Sequence, residues 1–136
     1  MKKSITLIAT LLLSNLAWAN EGLTSPGLYK NQSYTTAISY ELLAKSSDWK
    51  PEKGEVPVSP TKALQLSKAA ILKEFPNFGA IKVNGIALSE TNKSTWLYKV
   101  TISRKLPAEN KDDVGLFTYF VLLNGDLISP KNLAAK

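Results

Sequence analysis

IKVNGIAL, residues 81–88, is the stretch on which the fold turns. Asn84-Gly85 between alternating apolar residues is the strongest short-range signal for a two-residue hairpin turn. Read that way, the stretch makes two short strands, 80–83 and 86–89. The other reading is one long strand over 80–90, with Gly85 at a bulge or a close backbone contact. The long strand matches its neighbour in length and is preferred here, with the polar run Thr91-Asn92-Lys93-Ser94 making the turn.

Downstream, Trp96, Tyr98, Val100 and Ile102 alternate with Leu97, Lys99, Thr101 and Ser103. This is the pattern of a half-buried strand. LPAENKDDVG reads as a charged loop. GLFTYFVLL, residues 115–123, is apolar on both faces, with Phe117, Tyr119, Val121 and Leu123 on one and Leu116, Phe120 and Leu122 on the other. Such a strand belongs in the middle of a sheet. Asn124-Gly125 predicts a type I′ turn, followed by a short last strand before Pro130.

Upstream lies the clearest helix signal. Ser59 suits an N-cap and Pro60 the first helical position, where its missing N–H costs nothing. Ala63, Leu64, Leu66, Ala70, Ile71 and Phe75 fall on one broad face. Pro76 ends the run, so the helix is expected over about 60–74. The stretch SSDWKPEKGEVPVS before it reads as a loop. Trp49 within it is either buried, pinning the loop, or an exposed binding anchor; burial is the usual fate of large aromatics. Residues 34–44 favour a strand by their period of two, although Tyr40, Leu43 and Ala44 also fit a helical stripe. Residues 20–33, rich in Gly, Ser, Asn and Pro, read as a flexible segment.

The expected architecture is therefore α+β, in the order β-α-β-β-β(-β). One amphipathic helix packs on a curled antiparallel sheet of about four or five strands. Residues 34–130 form that single domain, and 131–136 form a C-terminal tail.

Residues 1–19 have the three parts of a secretory signal peptide. Lys2 and Lys3 are the basic start, Ile5–Leu13 the apolar core, and Ala17-Trp18-Ala19 a small-x-small cleavage site. The core is shorter than the roughly 20 residues a membrane span needs, and no later run reaches that length. The expected location is periplasmic or secreted, after cleavage following Ala19. The chain carries 17 Lys and Arg against 11 Asp and Glu, a net charge of +6. Two of those charges leave with the signal peptide. The remainder are scattered, without the basic stripe of a nucleic-acid binder. A weak attraction to anionic envelope polymers is consistent with them.

There is no His and no Cys among the 136 residues. The commonest general base, the commonest metal ligand and every thiol chemistry are therefore missing. Ser-His-Asp and Cys-His catalysis are excluded. Asp112-Asp113 reads as part of a solvated loop, and no phosphate-binding glycine motif is present. No enzymatic activity, cofactor or metal is expected.

The helix motif Ser59-Pro60, Ala63, Leu66, Ala69, Ala70, the strand motif Trp96, Tyr98, Val100 and the closing FVLLNGDLISP together resemble small exported bacterial PepSY-like and cystatin-like domains. The likeness covers about residues 58–130. It implies a helix resting on a curled antiparallel sheet, and an accessory role such as restraining a peptidase. Cystatins inhibit through a Q-x-V-x-G hairpin. Val83 and Gly85 match that pattern, but the Gln and the later Pro-Trp hairpin are absent, so inhibition of that type is not implied.

The sheet's outer face supplies the functional expectation. If Trp96, Tyr98, Val100 and Ile102 face the helix, Leu97 points away, and so does one apolar set of the central strand. Exposed apolar area of that size marks a partner site, unless the 20–33 segment covers it with Leu23, Leu28 and Tyr29. The expected function is an exported, non-catalytic binding or accessory domain. Its partner would be an envelope or extracellular protein, met at a surface including Leu97, Lys99, Phe120, Leu122 and Trp49, or by strand addition at a sheet edge. The alternative is a small ligand or anionic envelope polymer on the concave face. There Trp96, Tyr98 and Tyr119 would stack and Lys99 or Lys105 would pair an acidic group.

Overall fold

The computed structural model describes residues 22–104 and 114–134. The expected signal peptide, Lys105 and the Asp112-Asp113 loop lie outside these residues. The described chain runs β1 (Gly22–Tyr29), β2 (Gln32–Ser39), α1 (Tyr40–Ala44), a 3₁₀ turn (Pro51–Lys53) and α2 (Pro60–Glu74). It continues β3 (Ile81–Glu90), β4 (Trp96–Arg104), β5 (Gly115–Leu122), β6 (Leu127–Ile128) and β7 (Lys131–Asn132).

The long helix forms where its caps place it. The Ser59 hydroxyl accepts the Lys62 N–H at 3.1 Å, and Pro60 opens the first turn. Ala63, Ser67 and Ile71 are its buried stripe. Ser67 is tolerated there because its hydroxyl donates back to the Ala63 carbonyl at 2.9 Å. The stripe rests on the inner sheet face, where Tyr98, Val100, Ile102, Phe117, Tyr119 and Val121 are buried in the same cluster.

The expected α+β architecture of one helix on four or five strands is overturned. The sheet has seven strands and dominates the molecule, in the order β3-β4-β5-β1-β2-β7 with β6 also on β5. The two extra pieces come from segments read as a flexible leader and a tail. β1, with sequence GLTSPGLY, pairs with β2 along all eight of its residues. Its Gly, Ser and Pro residues signal a loop, yet long-range pairing outweighs that local preference. Pro26 is accommodated because, among the described residues, β1 has a strand neighbour on only one side there; it pairs with β5 at Leu28 and Tyr29. The turn between β1 and β2 places Lys30 and Asn31 at φ of 50° and 61°, the mirror-image geometry that suits twisted hairpins. β7, in the supposed tail, pairs with β2 at Tyr34 and Thr35.

Residues 34–44 divide between the two readings offered for them. β2 ends at Ser39, whose hydroxyl caps α1 by accepting the Leu42 N–H at 3.2 Å. Asn84-Gly85 is not a turn. β3 is one strand of ten residues, and its register against β4 shifts between Val83 and Gly85, so Asn84 is the extra residue of a bulge. Asn124-Gly125 is a turn, but only Gly125 has positive φ, at 95°. Gly125 N–H donates to the Leu122 carbonyl at 2.9 Å and Leu122 N–H to that of Asp126, which makes a three-residue loop rather than type I′.

The β1–β2 hairpin crosses the sheet diagonally. Its closed end lies on the helix side, where Tyr29 and Tyr34 join Phe75, Phe78 and Phe117 in a ring cluster with centroids 4.4 to 5.8 Å apart. Its open end lies over the outer face, where Ile38 and Leu43 bury Leu97, Phe120 and Leu122 in a second core. Between the two ends the contact is polar. Ser25 Oγ donates to Thr118 Oγ1 at 3.1 Å, and the Thr36 hydroxyl donates to the Thr118 carbonyl.

Candidate functional site

The hairpin covers the outer face incompletely. Its β1 side stops short of the β3–β4 turn and leaves a groove of about 320 Å³. Leu97 and Phe120 form the floor, Leu23 and Thr24 one wall, and Ser89 to Asn92 the other. The second wall is held in shape by the turn itself. Thr91 N–H donates to the Thr95 carbonyl at 2.8 Å, and Thr91 Oγ1 accepts from Lys93 N–H at 3.2 Å. The Lys93 ammonium sits 5.3 Å from the centre of the Tyr40 ring, tying the turn to α1.

One charge stands on the groove's own face, Lys99 from β4; Glu90, at the end of β3, contributes to the wall but pairs with Trp96, so its side chain shares the helix-side face. Both are exposed, and neither has an ion-pair partner among the described residues, where the single pair is Lys53 with Asp48 at 3.2 Å. That pair lies in the loop before α2, and the Lys53 ammonium holds the Asp48 carboxyl below its ordinary range.

The residues expected at a partner surface separate. Leu97, Lys99 and Phe120 meet in the groove, as expected of a common face. Leu97 and Phe120 are each 4 % exposed, however, so they are a floor and not an open patch. Leu122 is wholly buried in the second core, away from the groove. Trp49 lies on the helix side, edge-on to Trp96 at 5.9 Å, with its indole N–H donating to the Gly54 carbonyl. It is the buried pin of its loop.

The stacking residues of the concave-face alternative are also in the core. Tyr98 donates to the Val58 carbonyl at 2.7 Å and Tyr119 to Glu74 at 3.2 Å. Burial raises the pKa of both phenols above the ordinary 10.0, and the Glu74 carboxylate raises that of Tyr119 further. The Trp96 indole N–H is buried without a hydrogen-bond partner among the described residues.

Two further cavities differ in kind. One of about 360 Å³ between α2 and β6 includes Lys73 and Glu74, but Glu74 is already engaged by Tyr119. The other, of about 410 Å³ beside Tyr34 and Leu133, has no charged lining residue. Among the described residues no three His, Cys, Asp or Glu gather as a metal site, and no helix is long and apolar enough to cross a membrane.

Thr24, Ser89 and Glu90 were not singled out by sequence. They come from a segment read as a leader and from a strand end next to a turn, and nothing local links them. No family model matches the chain, and no curated protein or solved structure matches it either.

Proposed function

We propose that the chain is an exported, non-catalytic binding or accessory domain whose partner is a protein of the envelope or the extracellular space. The observation that supports this is the edge of β3. This strand has ten residues, ends the sheet, and has a neighbour only on its β4 side among the described residues. A free strand edge is a template for an extended partner segment. The bulge at Asn84 and the exposed Lys82 blunt indiscriminate pairing, which keeps such an edge selective. The likeness of residues 58–130 to PepSY-like domains points to the same accessory role.

A photo-reactive side chain at Ala87 of β3, compared with one at Leu72 on the solvent side of α2, tests this. Leu72 is 59 % exposed. Cross-linked envelope protein is expected from position 87 and not from 72. Equal labelling from both positions, or none from either, overturns the edge as the contact.

A second reading, a binding protein for a small ligand or anionic polymer, is favoured by the outer groove. Its about 320 Å³ falls within the range of small-ligand sites, and Lys99 supplies a cation with no ion-pair partner among the described residues.

A further inference from the structure

The register of β3 against β4 sorts the side chains beside the free edge. Ile86 and Leu88 lie opposite Val100 and Tyr98, so they stand on the helix side, half-buried against the inner core. Ala87 and Ser89 lie opposite Lys99 and Leu97, so they stand on the outer side, as does Gly85 opposite Thr101. Beyond the bulge the outer row of β3 is therefore Gly85, Ala87 and Ser89, all small and all exposed. A Cβ on Gly85 would meet nothing within 4 Å.

Each row makes a demand on a strand added at this edge. On the helix side, its side chains would lie beside Ile86 and Leu88 and complete the burial that these two lack. Apolar groups suit that position. On the outer side, its side chains would meet no bulk from β3. Lys99 stands one strand further in, two strand spacings or about 9.5 Å from the added strand. Only the methyl group of Ala87 lies between them in the ladder. A long acidic side chain on the added strand and the Lys99 side chain together close that gap. Lys99 is exposed and has no ion-pair partner among the described residues. The outer rows of β3 and β4 hold no carboxylate, and Lys82, opposite Ser103, adds a second cation on the same side. Glu90, opposite Trp96, belongs to the helix side. The bulge at Asn84 interrupts the edge and leaves Ile86–Glu90 as its continuous part.

We propose that the partner segment is an extended stretch, matching Ile86–Glu90 in length, in which apolar and acidic side chains alternate. The apolar set covers Ile86 and Leu88, and the acidic set turns to Lys99. This rests on the edge reading above and names the chemistry of the partner for it. The alternation holds for either strand direction, because side chains change face at every residue in both.

The test is amide-resonance titration of residues 20–136, which include every described residue. The probes are three peptides capped at both ends: Val-Glu-Val-Glu-Val, Val-Lys-Val-Lys-Val and Ser-Glu-Ser-Glu-Ser. The first is expected to shift the amides of Ile86–Glu90. The Lys form binds about tenfold more weakly, the scale of two solvent-exposed ion pairs turned into repulsions. The Ser form also binds more weakly, because it leaves Ile86 and Leu88 uncovered. Lys99→Gln, at an exposed position, removes most of the difference between the Glu and Lys forms and leaves the cost of Ser unchanged.

Equal shifts from the Glu and Lys forms, or a difference that Lys99→Gln leaves intact, overturn the proposed chemistry while keeping the edge as the contact. Shifts confined to residues outside 86–90, or none with any peptide, also overturn it. Cross-linking from position 87 then decides separately whether the edge is the contact.

Discussion

Gly115 opens β5 directly beneath Phe78. A Cβ at this position would stand 2.8 Å from one ring carbon of Phe78 and 3.2 Å from the Arg104 Cβ. Phe78 has no room to yield, since it is wholly buried and packed against Tyr29 and Phe117. Gly115→Ala is therefore expected to destabilise the protein by about 1–3 kcal/mol, the usual cost of overpacking a filled core. Urea unfolding measures it as a lower midpoint with unchanged slope. An unchanged midpoint would mean that the ring cluster is looser than its contacts imply. The same cluster explains why Tyr29, from a segment with loop-like composition, is only 6 % exposed. This aromatic residue anchors the end of β1 in the inner core.

At the scale of elements, the hairpin is attached in three different ways. Its closed end is held by rings, its middle by hydroxyls and its open end by the apolar second core. Ser25, Thr36 and Thr118 are buried polar residues joined to one another. Thr36→Val keeps the shape but leaves the Thr118 carbonyl without this donor. A buried group orphaned in this way costs about 1–3 kcal/mol. Amide exchange is expected to quicken in β1 and β2 while β4 stays protected; uniform acceleration would show that the hairpin does not open by itself.

This polar seam also accounts for what the sequence concealed. The α2 boundaries were legible because Ser59, Pro60 and the apolar period act within one helix. The bulge was legible because Asn84-Gly85 allows few alternatives. β1 was not legible, because its inward residues include Ser25 and its partners lie far along the chain, so no apolar alternation marks it. In the groove, Leu97, Lys99 and Phe120 were legible as one face of two adjacent strands. Leu23 and Thr24 reach it only because the hairpin folds across the sheet, which no local pattern encodes.

At the scale of the whole molecule, the fold has a larger core on the helix side of one sheet and a smaller one on its outer face, with no disulfide to join them. β5 belongs to both, so the two cores should unfold together. Alkaline pH provides a way to test this through the inner core alone. Burial and the neighbouring Glu74 carboxylate raise the folded pKa of the Tyr119 phenol well above its ordinary 10.0, and burial raises that of Tyr98. Below pH 10 both states hold these protons, and the full stability is present. Above it the unfolded chain releases them while the folded chain keeps them, so the unfolded state binds fewer protons and stability falls as pH rises. Tyr119→Phe is expected to flatten the decline between about pH 10 and 12, at the cost of the hydrogen bond to Glu74 at neutral pH. The readout is the urea midpoint against pH, followed separately through exchange of the Ile71 amide in α2, which packs on the inner core alone, and of the Ile38 amide beside the outer core. Coincident loss of protection at both marks one cooperative unit. If Ile71 loses protection while Ile38 retains it, β5 does not couple the cores, and the outer groove would then keep its shape independently of the helix layer.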